Sequence, residues 1–107
     1  MLAWIYLGLA IVLEVAGTIA LRYSDGLSKL IPSATVLVTY GISFWLLALT
    51  LRELEISLVY AVWAGIGTAA IALIGMAAMG EPVSALKIAS IGLVIAGVIG
   101  LNLAGAS

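Results

Sequence analysis

The sequence predicts an all-α membrane protein of four transmembrane helices with short loops. Three observations carry this. Of the 107 residues, 65% are hydrophobic and 8% are charged, against roughly half and a quarter in ordinary globular domains, so lipid is the solvent for most of the chain. Charges and turn-forming residues gather in three short stretches. The intervals between them are close to the ~20 residues that a helix needs to cross a bilayer. Backbone polar groups in lipid need internal partners, which helices supply and which strands too few to close a barrel do not.

The first helix is predicted over about residues 3–21, stopped by Arg22, Tyr23, Ser24, Asp25 and Gly26, with Lys29 just beyond. Pro32 fits the first turn of a second helix over about 32–51, where its missing N–H costs nothing. Arg52, Glu53 and Glu55 break that helix. Ser57 is placed to cap a third over about 57–79, ended by Gly80, Glu81 and Pro82, and Ser84 to cap a fourth over about 84–103. Residues 1–107 thus read as a single four-helix transmembrane domain. Loops this short make neighbouring helices antiparallel and put both termini on one side. Arg22, Lys29 and Lys87 flank the first and third loops and Arg52 the second, a bias that favours termini outside but leaves room for chains of both orientations.

The composition also excludes chemistry. Without Cys or His the chain lacks thiolate nucleophiles, zinc-binding pairs and the commonest general base, so neither an enzyme nor a metal or other cofactor is expected. A formal net charge of -1 leaves no basic stripe for nucleic acid. The opening Met1, Leu2, Ala3 and Trp4 lack the positive n-region of a cleaved signal peptide.

Only Glu14, among nine charged side chains, falls near the middle of a predicted span. A central acid costs about 2.5 to 3.5 kcal/mol on insertion scales. Either Glu14 is a protonated, hydrogen-bonded structural group, or it is a proton or cation site, because removal from water disfavours the charged form and makes proton exchange accessible. Ala10, Gly17 and Thr18 share its face within one turn, which leaves space for a ligand or for a close-packed helix.

Tyr40, Ser43, Phe44 and Leu47 share a face of the second helix; Tyr60, Trp63 and Gly67 share one of the third. Aromatic faces and hydroxyls around an acid suit a lipophilic cation. For Tyr60 a place in the interfacial aromatic belt is the alternative, and Trp4, Tyr6 and Tyr23 read as interface anchors. Gly65 and Gly67 make a hinge or a close-packing site in the third helix. Gly92, Ala96 and Gly100, with Gly97 beside them, form a small-residue stripe that reads as a dimerisation face. A single acid in four helices is a meagre wall for a polar cavity, so at least a dimer is expected. Two oppositely inserted copies would bring two Glu14 carboxyls together near the midplane.

These residues resemble the small multidrug resistance family over essentially the whole chain. The likeness is carried by Leu13-Glu14-Val15, Tyr23-Ser24-Asp25-Gly26, Pro32-Ser33, Ser43-Phe44-Trp45-Leu46-Leu47 and the run Tyr60-Ala61-Val62-Trp63-Ala64-Gly65-Ile66-Gly67. The resemblance implies an antiparallel, dual-topology dimer in the bacterial cytoplasmic (inner) membrane that exchanges protons for hydrophobic organic cations. It implies Glu14 as the shared site, Tyr60, Trp63 and Ser43 around it, flexing at Gly65 and Gly67, and helix-four contacts around Gly97. Gly17 and Thr18 after the acid, with Tyr40, resemble the quaternary-ammonium, multidrug branch; guanidinium exporters usually carry a Trp there. Trp4 replaces a frequent Tyr, and the second loop lacks the usual Pro and Gly. A guanidinium-type exporter, or a membrane subunit active only with a paired partner, are the alternatives.

Overall fold

The computed structural model describes residues 2–106, with side chains up to 104. Met1 and Ser107, the ends of the expected 1–107 domain, lie outside the described residues, and with Met1 goes the first residue of the signal-peptide reading. Four helices follow in order, α1 (Leu2–Tyr23), α2 (Leu30–Thr50), α3 (Ile56–Ala78) and α4 (Ala85–Ala106). Each is long and apolar enough to cross a membrane, so the chain is a multi-pass membrane protein. The helices exceed or shift from their predicted limits for local reasons. Arg22 is accommodated in the last turn of α1, Leu30 and Ile31 precede Pro32 within the first turn of α2, and no polar residue stops α4 at Leu103. Ser57 is not the cap of α3: the helix already begins at Ile56.

The chain forms two compact helix pairs. In the first, α1 buries Ala3, Leu7, Ala10, Ile11, Val15 and Gly17, a stripe of three- and four-residue steps. α2 meets it with Val36, Ser43, Leu46 and Thr50. The remaining faces expose Ile5, Leu9, Val12, Leu37 and Trp45, as surfaces solvated by lipid tails do. The connection 24–29 is built on Ser24, which is fully buried. Its hydroxyl donates to the Leu21 carbonyl at 2.6 Å and accepts the Leu27 N–H at 3.0 Å. Its carbonyl accepts the N–H groups of Ser28 and Lys29 at 2.9 and 3.1 Å. These bonds hold Asp25, Gly26 and Leu27 in the left-handed region, at φ 51°, 69° and 67°, a conformation that only the glycine adopts without steric cost.

In the second pair, α3 buries Val59, Val62, Gly65, Gly67, Ala69 and Gly75. A Cβ on Gly65 would run into the side chain of Val98 on α4 and stand 3.3 Å from Val94. Gly65 is therefore what lets the two backbones approach. α3 ends where Gly80 turns left-handed at φ 71°, sending the Glu81 N–H back to the Gly75 carbonyl at 3.0 Å. The Glu81 carboxylate lies over Gly75, in space that any side chain there would need, and Lys87 Nζ stands 3.9 Å from it. Ser84 caps α4 as predicted, its hydroxyl accepting the Lys87 N–H at 3.1 Å.

Gly65→Leu is expected to lower stability by about 1–3 kcal/mol through overpacking against Val98. Gly8→Ala, where no atom lies within 4 Å of the new Cβ, should change it by no more than about 0.5 kcal/mol. Denaturant unfolding in detergent, followed by circular dichroism, measures both, and equal losses would contradict this packing.

Candidate functional site

In the fourth turn of α1, Glu14 is half-buried and Thr18 sits one turn further on the same face. The Thr18 hydroxyl donates to Glu14 Oε1 at 3.0 Å. The same oxygen, Thr18 Oγ1, lies 2.8 Å from the Tyr40 hydroxyl of α2. A hydroxyl owns one hydrogen, so when Thr18 gives it to the carboxylate, Tyr40 must be the donor to Thr18. The result is a directed chain, Tyr40 to Thr18 to Glu14, that turns two hydroxyl dipoles toward the acid.

Gly17 makes the chain possible. A Cβ there would stand 2.5 Å from Thr39 Oγ1 and 2.6 Å from the edge of the Tyr40 ring. The small face beside Glu14 is therefore filled at Gly17 by α2, not left open for a ligand. Thr39 was not singled out by the sequence; its hydroxyl donates to the Thr35 carbonyl at 2.7 Å, which keeps it compact against α1. Ser43 is buried and donates across the pair to the Ala10 carbonyl at 2.7 Å. That bond fixes the register of α1 on α2, and it spends the Ser43 hydrogen on backbone. Phe44 meets Tyr40 edge-on, with centroids 6.4 Å apart at 74°, and its side chain is exposed.

In the second pair, Tyr60 and Trp63 of α3 form their own edge-on contact, 5.8 Å between centroids at 84°. Tyr60 is exposed and Trp63 partly so. α3 runs unbroken through Gly65 and Gly67, both buried. On α4, Gly92, Ala96, Gly97 and Gly100 are all exposed, and a Cβ on any of these three glycines would meet nothing within 4 Å. The structure therefore joins Glu14, Thr18, Gly17, Tyr40 and Phe44 into one cluster, uses Ser43 and Ala10 to brace it, pairs Tyr60 with Trp63, and leaves the α4 stripe uncovered by α3.

Gly17→Ala should displace the Tyr40 ring and lower stability by about 1–3 kcal/mol. Ser43→Ala leaves the Ala10 carbonyl without its cross-helix donor and should cost about 1 kcal/mol. Unfolding in detergent reads both, and an unchanged Gly17→Ala protein would contradict the close approach at that position.

The sequence model of the Small Multidrug Resistance protein family matches residues 2–94. The guanidinium exporter of Yersinia pseudotuberculosis is 46% identical over 103 residues, which are 96% of this chain and 99% of that one. Multidrug resistance protein Mmr of Mycobacterium tuberculosis is 43% identical over 104 residues, 96% of this chain and 97% of that one. The quaternary ammonium compound-resistance protein QacE of Escherichia coli is 42% identical over 103 residues, 96% and 94% of the two chains. A match over most of the chain, together with four apolar helices and an acid in the first of them, establishes that the chain belongs to the Small Multidrug Resistance family.

Proposed function

We propose that this protein is a proton-coupled antiporter that exports lipophilic and quaternary ammonium cations across the bacterial cytoplasmic membrane. The observation that carries the reading is the Tyr40–Thr18–Glu14 chain, an acid within a membrane span that is bonded by the neutral Thr18 hydroxyl, itself bonded to Tyr40, and by no cation among the described residues. A carboxylate so placed lacks a fixed counter-ion among the described residues, and a proton or a substrate cation can each supply the missing charge. Occupancy by one excludes the other. If only the loaded protein exchanges its open side readily, an inward proton gradient drives outward cation movement.

The four helices act in this scheme as one membrane domain and pair with a second copy in an antiparallel homodimer, so that two Glu14 carboxyls serve one site. The exposed Gly92, Ala96, Gly97 and Gly100 face of α4 supports that assembly, since small residues let helices in lipid approach closely. Gly65 and Gly67 provide the flexing of α3, and Tyr60 and Trp63 the aromatic walls against which the cation stacks. A paired family member of opposite orientation could take the place of the second copy. A guanidinium exporter is the second reading, favoured by the relative of that name.

Proteoliposomes holding only the purified chain test the proposal through proton-coupled currents. Tetraphenylphosphonium should give a Glu14-dependent signal larger than that of guanidinium, and Glu14→Gln should abolish it. Cation affinity should fall as pH is lowered, because protons compete for the carboxylate. Trp63→Ala should weaken tetraphenylphosphonium at least several-fold more than tetramethylammonium. Guanidinium-only currents would favour the second reading, and normal coupled transport by Glu14→Gln would remove Glu14 from the mechanism.

A further inference from the structure

The α1/α2 pair holds a cavity of about 550 Å³, lined in part by Leu2, Trp4, Tyr6, Leu49, Arg52 and Glu53. Its volume is in the range of small-molecule sites. It is separate from the Glu14 cluster: Trp4 lies ten residues earlier on α1, about 15 Å along the axis. It sits where the first turns of α1 meet the end of α2 and the polar segment 51–55, and both helices are membrane spans. That depth is the headgroup level.

Two features specify an occupant. Arg52 and Glu53 are adjacent, both line the cavity, and among the described residues neither takes part in a salt bridge or a side-chain hydrogen bond. An anion alone would face the Glu53 carboxylate, and a cation alone would face the Arg52 guanidinium. A ligand carrying both charges a short distance apart satisfies each. The Arg52 fork suits a phosphate, while Glu53 and the rings of Trp4 and Tyr6 suit an ammonium. Leu2 and Leu49 give an apolar edge for a hydrocarbon chain.

At headgroup depth, phosphate, ammonium and acyl chain occur together in zwitterionic aminophospholipids. We propose that this cavity is a binding site for a phosphatidylethanolamine-type lipid, its phosphate on Arg52 and its primary ammonium on Glu53. A primary ammonium donates hydrogen bonds to the carboxylate, which a trimethylated choline headgroup cannot. The site therefore distinguishes the two zwitterionic lipids, and Glu53 turns it against phosphatidylglycerol.

Native mass spectrometry of the full chain, released from mixed micelles with equimolar phosphatidylethanolamine, phosphatidylcholine and phosphatidylglycerol, tests this without any transport readout. Phosphatidylethanolamine should be retained in preference to both others. Arg52→Gln and Glu53→Gln should each cut its retention about tenfold, and Arg22→Gln, remote from the cavity, should leave it unchanged. Arg52→Lys, which keeps the charge but not the fork, should lose less binding than Arg52→Gln and controls for misfolding. Preference for phosphatidylglycerol, equal retention of phosphatidylcholine, or retention unaffected by both glutamine variants would each overturn the assignment.

Discussion

A carboxyl in the middle of an apolar helix is the constraint on which the first helix pair depends. Lipid supplies no hydrogen bonds to Glu14, so the protein must. Thr18 is the nearest residue able to reach it along α1, and Thr18 in turn needs a donor, which is Tyr40. Tyr40 can deliver its hydroxyl only if its ring lies flush on α1, and Gly17 is the residue without a side chain in the way. Ser43 then holds the two helices in that register through the Ala10 carbonyl. Each step follows from the one before it, and an acid at position 14 is where the sequence of requirements begins.

The second pair solves a different problem with the same device. Association of helices in lipid has little hydrophobic drive, so close contact relies on small residues. Gly65 receives Val98, and Gly75 receives the Glu81 carboxylate that in turn faces Lys87. By contrast Gly92, Gly97 and Gly100 of α4 receive nothing from α3. Within one pair, then, some glycines are occupied by packing and others remain available, and it is the available ones that support a proposed dimer face.

Much of the fold was legible because membrane spans are written in composition: four apolar runs and three polar breaks determine four helices regardless of detail. Glu14 was conspicuous for the same reason, as a charge where charges are expensive. Ser84 was readable as a cap because capping is local. Less was legible where the answer depended on a neighbour. Ser57 carries the right chemistry for a cap, but the helix starts one residue before it. The face of Gly17 fits a ligand or a helix equally well by sequence, and it is Tyr40 and Thr39 of the neighbouring helix that occupy it. Ser43 shares a helical face with Tyr40, yet its hydroxyl turns to the backbone of α1. Periodicity gives the face of one helix and not the residue that will meet it.

The central claim is that one carboxyl serves protons and cations in turn. Proton release on binding of tetraphenylphosphonium to the purified protein, measured in weakly buffered detergent solution, tests it most directly. The account predicts protons released in proportion to cation bound and no release from Glu14→Gln; cation binding that releases no proton, or release that persists in Glu14→Gln, would contradict it.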